Sequence, residues 1–281
     1  MLITLIYLSL DKILYLLKKI KLYKYLPRRI TANRFFEDCI SYIKPNYIFF
    51  FTLKDMIYEY PLPIIMATII KEGDMVVDIG ANRGQYTIFL SKLVGQRGKV
   101  YAFEPDPRNF LFLKHRIRKL KRNNVIIERK AVGNKKTKVK FYIDKLTGRS
   151  SIYNDVTTSI ISCIEIDMIS LDEYFHDFKG EFALIKIDVQ GAEALVLYGM
   201  KDLIKKVKVL IFEFWPFGLK AAGFEPSSLI EWLIFNNFKL IVIDENFNVY
   251  KENQLYKKIN EMKNEDFLNI IAINKNYLNK C

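Results

Sequence analysis

The sequence predicts a doubly wound α/β domain built on a mostly parallel sheet. Short apolar runs of four to six residues recur along the chain, segments with helical periodicity separate them, and several runs end in an acidic residue. Such runs are typical of strands that helices cover on both faces. With 281 residues, of which 51% are hydrophobic, the chain can bury a large core.

The regular alternation starts near residue 75, and each element has a local signal. Runs rich in Val, Ile and Phe indicate the strands, whereas amphipathic segments such as "QYTIFLSKLV" indicate the helices. Strands are predicted at residues 75–80, 99–105, 124–132, 182–189, 207–214, 239–244 and 267–273. Helices are predicted at residues 85–94, 109–120 and 227–237.

An inserted β segment is predicted at about residues 134–180, between the third and fourth strands. It contains "KVKFYID", with alternation of period two, and "CIEIDMI", which indicate extra strands rather than a separate domain. We therefore expect a basic amphipathic helix, an extension that packs on the core, and one main domain that carries the insertion. Their bounds are residues 1–30, 31–70 and 71–281.

The charge and cysteine content limit the partners. Lys and Arg number 44 against 31 Asp and Glu, and the net charge of +13 favours an anionic partner, either nucleic acid or a membrane surface. Cys39, Cys163 and Cys281 are odd in number and far apart, so neither a disulfide framework nor a zinc site is indicated. We expect a reducing, cytoplasmic location and no metal.

The first 29 residues combine apolar and basic side chains. Their apolar stretch is interrupted by Asp11 and Lys12 after ten residues, which is too short to cross a bilayer. The interleaved lysines fit a helix that lies on an anionic membrane surface, with the protein peripheral at the membrane. A helix packed on the domain with solvated lysines, or an uncleaved anchor, are the alternatives.

Four predicted strands end in or near an acidic residue: Asp78, Glu104, Asp188 and Glu213. In a doubly wound sheet, ligands bind beyond the carboxyl ends of the strands, at the point where the strand order reverses. A single acid at a strand end is usually a helix cap or a surface residue. Four acids at successive strand ends indicate a site.

The loop "GANRG" at residues 80–84 indicates which ligand this site prefers. A dinucleotide pyrophosphate needs close approach to a glycine backbone, and here Asn82 supplies a side chain while Asp78 supplies a repelling charge. S-adenosylmethionine instead offers an ammonium, a sulfonium and a ribose diol. Asp78 suits a cationic ligand, and Glu104 can accept hydrogen bonds from both ribose hydroxyls. The predicted cofactor-binding residues are Asp78, Gly80, Ala81, Asn82, Gly84 and Glu104.

The motifs "VVDIGANRGQYTIFLSKLV", "VYAFEPDPRNFLFLK", "KAVG", "GRSSIY", "LDEYF" and "LIKIDVQGAEALVLYGM" resemble, in order and spacing, the FkbM-type S-adenosylmethionine-dependent methyltransferases over about residues 70–245. The resemblance implies a class I, Rossmann-like methyltransferase fold with seven strands, of which the last is antiparallel. It also implies O-methylation of a glycan, sugar or other small-molecule hydroxyl.

The family's second signature falls on Asp188, Gly191 and Glu193, whereas Gln190 stands where a glutamate is frequent. Ser150 and Ser151 either form a turn or contact substrate or cofactor. Asp188 is the predicted general base or acceptor-orienting group, although it could instead bind the cofactor ammonium, with Glu193 next in line as the base. Lys186, inside an apolar strand, is expected to pair with a carboxylate such as Glu193 or Glu213.

Two other functions stay open. One is an RNA or protein methyltransferase, which the basic charge favours; however, no NPPY-like tetrapeptide follows the fourth predicted strand, as methylation of a base amine would usually require, so nucleic acid is not the expected partner. The other is a non-catalytic, membrane-associated binding module that retains the fold. Failure of the purified protein to bind the cofactor would favour that second function.

Overall fold

The computed structural model describes residues 61–146, 148–157, 159–244 and 249–278. The basic helix predicted at residues 1–30, and residues 31–60 of the predicted extension, lie outside the described residues.

Strands and helices alternate through most of the described chain. The strands are β1 Met75–Ile79, β2 Lys99–Phe103, β3 Val125–Glu128, β4 Ala131–Gly133, β5 Thr137–Asp144, β6 Ile160–Ser170, β7 Phe182–Ile187, β8 Val209–Phe214, β9 Phe238–Asp244, β10 Val249–Lys251 and β11 Leu268–Asn274. The helices are α1 Pro61–Ile69, α2 Gln85–Val94, α3 Pro107–Lys119, α4 Leu171–Tyr174, α5 Glu193–Tyr198, α6 Pro216–Ala221, α7 Pro226–Phe235, α8 Glu252–Glu261 and α9 Lys275–Leu278. A 3₁₀ turn covers Leu203–Lys206.

The main sheet has the strand order β10-β9-β11-β8-β7-β1-β2-β3. β1 pairs in parallel with both β2 and β7, and β7 pairs in parallel with β8. β11 lies antiparallel between β8 and β9. The chain therefore reverses its direction of travel across the sheet between β1 and β7, which is where such folds bind ligands.

The predicted class I fold is confirmed, with two differences in detail. The seven expected strands are present, and the three-residue β10 adds an eighth at the edge by pairing with β9. The predicted third strand at 124–132 is two strands, because the consecutive cations Arg129 and Lys130 interrupt the apolar run. β3 ends in the main sheet before them, and β4 enters a second sheet after them.

Apolar side chains alternate between two faces of the main sheet. Val76, Val100 and Leu184 point to the face covered by α1 and α2. Val77, Phe103 and Ile185 point to the opposite face, which α5, α7 and α8 cover. Both faces are therefore dry, and this explains why the parallel strands carry almost continuous apolar runs.

The predicted insertion contributes β5 and β6, which form a three-stranded sheet with β4 in the order β4-β6-β5. Its link between β5 and β6 reaches the carboxyl ends of the main strands. The Ser151 hydroxyl donates to the Gln190 carbonyl at 2.9 Å, and Arg108 Nη2 donates to the Asp144 carbonyl at 2.8 Å. The insertion thus forms one wall over the crevice.

Across the parts of the chain that are described, none of the helices combines the length and the apolar character that spanning a bilayer requires.

Candidate functional site

A cleft lies at the carboxyl ends of β1, β2, β7 and β8. It holds about 960 Å³ of empty space, part of it open to solvent. Six residues that the sequence analysis assigned to a site line the cleft: Gly80, Asn82, Glu104, Ser150, Asp188 and the strand-end acid Glu213. The other six do not line it: Asp78, Ala81, Gly84, Ser151, Gly191 and Glu193.

The glycines of the β1–α2 loop are required by close packing. Gly80 has φ of +77°, and a Cβ atom placed there would fall 1.8 Å from the carbonyl oxygen of Asp188. Gly84 has φ of +83°, and its Cβ would fall 2.4 Å from a methyl group of Leu113. The first glycine brings the loops after β1 and β7 together, and the second seats α2 against α3.

Asp78 lies behind this loop rather than in the cleft. Its side chain is fully buried, and its Oδ2 accepts a hydrogen bond of 2.6 Å from the hydroxyl of Thr87 in the first turn of α2. Asp78 was predicted to bind the cofactor, as an acid that suits a cationic ligand, but its carboxylate does not line the cleft. A carboxylate at the end of a buried strand can be recruited to fix the following helix, and here it does so.

Glu104 occupies the end of β2, where it is 4% exposed but lines the cleft. Its Oε2 accepts from the backbone N–H of Asn82 at 2.6 Å, and its Oε1 accepts from the backbone N–H of Asp106 at 2.8 Å. Since a carboxylate offers about four lone-pair positions, each oxygen retains the capacity for a further donor. The two anchors fix the carboxylate in one orientation toward the cleft.

Burial raises the pKa of the Glu104 carboxyl from 4.5 to about 8, although the two backbone donors oppose the rise. The negative charges of Asp106 and Asp78 raise this pKa further. A ligand that donates hydrogen bonds to the carboxylate, or that brings positive charge, would therefore favour the ionised form.

Asp106 connects the β2–α3 loop to the insertion. It caps α3 by accepting from the backbone N–H of Arg108 at 2.9 Å, and its Oδ2 accepts from Arg108 Nη2 and from the hydroxyl of Ser150. Burial opposes its ionisation, but these donors outweigh burial and hold the pKa of Asp106 below its usual value. Ser150 therefore lines the cleft as part of a structural link. The "DP" dipeptide before a helix is a capping signal from which Asp106 could have been predicted.

Asp188 follows β7 and projects into the cleft between two donors. Its Oδ2 accepts from Lys186 Nζ at 3.0 Å, and its Oδ1 accepts from Gln190 Nε2 at 3.2 Å. The same Gln190 nitrogen also donates to Glu213 Oε2 at 3.2 Å. The expected ion pair of Lys186 with a carboxylate is present, and Asp188 is a partner. Lys186 also lies 4.5 Å from the ring centre of Tyr86.

Glu193, 1% exposed, supports the loop after β7 from below. Its Oε1 accepts from the backbone N–H groups of Val189 and Gly191, each at 3.2 Å. Burial raises the pKa of the Glu193 carboxyl to about 7 against these donors. Because Glu193 does not line the cleft, it does not suit the role of substitute base. Gly191, with φ of +93°, and Ser151, which donates to the same loop, are likewise structural in position.

Asn109 and Lys130, which the sequence did not single out, also line the cleft, as do Gln190 and the apolar side chains Val132, Phe141 and Ile152. The "RK" pair inside the third predicted strand was the only sequence signal for Lys130. In the described residues there is no group of three or more His, Cys, Asp or Glu side chains that could hold a metal ion.

The arrangement has a definite chemical character. Three carboxylates, those of Glu104, Asp188 and Glu213, line the cleft with the cation Lys130 and an apolar wall. Such a cleft fits a ligand that carries positive charge and hydroxyl groups at one side and a flat apolar group at the other. The residues present therefore fit S-adenosylmethionine.

Comparison with known proteins gives a family. Residues 78–261 match the model of the Methyltransferase FkbM domain. A probable cobalt-precorrin-6B C(15)-methyltransferase of Sulfurisphaera tokodaii is 38% identical over 56 residues, which is 20% of this chain and 29% of that protein. Methyltransferase 1 of Beauveria bassiana is 24% identical over 150 residues, which is 47% of this chain and 60% of that protein.

This chain thus spans less than two thirds of the length of both curated relatives. Among solved structures, the methyltransferase FkbM of Methylobacillus flagellatus KT aligns with a TM-score of 0.44 at 13% identity, covering 84% of this chain and 57% of that one. The family model covers well over half of the sequence, including both loops that form the cleft. The chain belongs to the FkbM family of S-adenosylmethionine-dependent methyltransferases.

Proposed function

We propose that the protein transfers a methyl group from S-adenosylmethionine to a hydroxyl of a glycan, sugar or other small molecule. The observation that carries the proposal is Glu104, a carboxylate fixed by two backbone donors and turned to the cleft. Asp188 and Glu213 supply further carboxylates to the same cleft. The Glu104 carboxylate can accept hydrogen bonds from a diol, and the other two carboxylates can contact an acceptor hydroxyl.

Each part of the cleft suits one part of the cofactor. Glu104 would hold the two ribose hydroxyls, and the backbone of Gly80 and Asn82 would border the sugar. Val132, Phe141 and Ile152 form the apolar wall that suits the purine. The cofactor supplies the activated methyl group when it is bound.

The work left to this chain is to align the acceptor oxygen and to receive its proton. Asp188 projects between Lys186 and Gln190, and these two donors hold its carboxylate in a defined orientation. We assign Asp188 the role of orienting the acceptor hydroxyl and taking its proton. Binding of the cofactor ammonium is the alternative role of the same carboxylate, and the affinity of an Asp188→Asn variant separates the two.

The acceptor class rests on the FkbM resemblance and on the size and polarity of the cleft. The net charge of +13 also suits RNA, so RNA and protein are the competing acceptors. The experiment is transfer of radiolabelled methyl from S-adenosylmethionine to cell-envelope glycan fractions, with total RNA and total protein as parallel acceptors. Incorporation confined to RNA or protein would overturn the proposed acceptor class.

Binding of S-adenosylmethionine, measured by calorimetry, comes first in this series. No binding by the folded protein would favour the binding-module function.

We further propose that the basic residues 1–29 hold the enzyme at an anionic membrane face, where about 1 kcal/mol per basic residue is available. Deleting residues 1–26 should release the protein from anionic liposomes at low salt. A full-length protein that ignores such liposomes would contradict this location.

A further inference from the structure

Gln190 places one amide nitrogen between two carboxylates of the cleft. Its Nε2 donates to Asp188 Oδ1 and to Glu213 Oε2, both at 3.2 Å. Both partners are acceptors, so the nitrogen rather than the oxygen of the amide must face them. Asp188 follows β7 and Glu213 lies in β8, and these strands are neighbours in the sheet. The amide therefore ties together two adjacent strand ends.

Two carboxylates that share one partner atom repel each other. Without a donor or a cation between them, one of the pair tends to retain a proton, because its pKa is raised by the neighbouring charge. An amide NH₂ group has two N–H donors, and here it can direct one to each carboxylate. The other charged groups around this pair are Lys186, Glu193, Glu104 and Lys130.

We propose that Gln190 is a positioning residue that ties the Asp188 and Glu213 carboxylates together and holds Asp188 in place for proton acceptance. The inference rests on the proposed methyl transfer and deepens it. In that step the acceptor oxygen forms a bond to the methyl carbon, the bond from this carbon to sulfur breaks, and the hydroxyl proton passes to the ionised Asp188. The products are the methyl ether and S-adenosylhomocysteine.

An amide at position 190 suits the two neighbouring carboxylates, Asp188 and Glu213, because it can donate a hydrogen bond to each. A glutamate at position 190 would bring a third carboxylate to the place where the amide now donates. The like charge would then replace two N–H donors, so one carboxyl of the cluster should keep its proton to a higher pH than in wild type.

Two variants test the role of the amide. Gln190→Met keeps the length of the side chain but removes both N–H donors, whereas Gln190→Glu adds the third carboxylate. Thermal unfolding of wild type and both variants is followed from pH 5 to pH 8. A carboxyl whose folded pKa is raised costs stability as the pH rises from its unfolded value to its folded one. Both variants should therefore lose stability relative to wild type as the pH rises, with Gln190→Glu losing more.

Turnover gives the second readout, with radiolabelled methyl transfer to the best acceptor fraction. The pH of half-maximal rate should shift upward by about one unit or more in both variants. Affinity for S-adenosylmethionine should stay within a fewfold of wild type, because the amide faces the two acids rather than the ribose site.

The proposal is overturned if two results are found together for Gln190→Met: its stability differs from that of wild type by the same amount at every pH, and the pH dependence of its rate is unchanged. Gln190 would then be a packing residue. If that variant does not fold, an unmoved profile for Gln190→Glu overturns it equally. Wild-type protein that transfers no methyl to any fraction defeats the proposed function instead. The unfolding measurement needs no turnover and still decides the role of Gln190.

Discussion

Glu104 and Glu193 are two buried glutamates with almost the same local chemistry and different positions. Each accepts hydrogen bonds from two backbone N–H groups, which lie in two loops for Glu104 and in one loop for Glu193, and burial raises the pKa of both. Glu104 uses one oxygen for each donor and lines the cleft, whereas Glu193 uses a single oxygen for both donors and does not line it. Within the described residues, the second oxygen of Glu193 is buried without a hydrogen-bond partner.

The comparison separates two roles for an acid in these loops: lining the cleft and accepting hydrogen bonds from the loop backbone. Glu104 accepts hydrogen bonds from the backbone and still has lone pairs available to the cleft, so one residue has both roles. After β7 the two roles are separated, because Glu193 supports the backbone and Asp188 enters the cleft. The following four predictions test this division, beginning with the largest expected effect.

Asp188→Asn should lower turnover by about 10²- to 10⁴-fold, the usual contribution of a general base. Asn keeps the size of the side chain and loses the charge that receives the proton. Affinity for S-adenosylmethionine, measured by calorimetry, should stay within a fewfold. An affinity that collapses together with turnover would make Asp188 a ligand of the cofactor ammonium. If neither quantity changes, the loop after β7 has no part in the chemistry.

Glu104→Gln should weaken S-adenosylmethionine binding by tenfold or more, since each hydrogen bond to a charged group contributes about 1.5–3 kcal/mol. The amide retains the shape of the carboxylate but cannot accept from two backbone donors and two hydroxyls together. Glu193→Gln is the matched control, because Glu193 is also a buried glutamate with two backbone donors. The affinity of this variant for S-adenosylmethionine should stay near that of wild type. Equal losses in both variants would erase the distinction between the two acids.

Cofactor affinity should rise with pH by an amount on the order of tenfold between pH 6.5 and pH 8. The pKa of Glu104 is raised to about 8, and ribose hydroxyls donate best to the ionised carboxylate, so binding must release a proton below that pH. Calorimetry in buffers of different ionisation enthalpy measures this proton directly. In Glu104→Gln the release attributable to this group should vanish, and a release that persists would place the titrating group elsewhere.

Glu193→Gln should have the smallest effect, a change of a few degrees in the unfolding temperature. The pKa of Glu193 is raised from 4.5 to about 7 in the folded state, so the wild type loses stability as the pH rises through that interval. The variant lacks this loss. The unfolding temperature of the variant relative to wild type should therefore increase from pH 5 to pH 7.5. A constant difference would show that Glu193 does not titrate in this range.

Much of the fold could be predicted from the sequence, because buried parallel strands require apolar runs that are visible in one dimension. The split of residues 124–132 between two sheets was missed, since β3 and β4 are separated by only Arg129 and Lys130. The short β10 carries no apolar run and forms only by pairing with the edge of β9. Strand pairing of this kind depends on tertiary contacts that a local pattern does not contain.

The site could be predicted as a set of loops, but the direction of each side chain could not. Asp78 and Glu104 both end a buried strand, yet Asp78 bonds Thr87 behind the loop and Glu104 lines the cleft. In the sequence, Gln190 was visible only as a departure from the family's second signature. Its role became visible when β7 and β8 brought Asp188 and Glu213 to the same nitrogen, two positions that are 25 residues apart in the chain.

The contact between Gly80 and the Asp188 carbonyl has a mechanical consequence. Because no space remains for even a methyl group, the loop after β1 and the loop after β7 that carries Asp188 form one continuous wall of the cleft. We expect this contact to set the spacing of the two loops when the chain folds, before any ligand binds. A side chain at position 80 would have to push the two loops apart, because its Cβ atom would meet the Asp188 backbone.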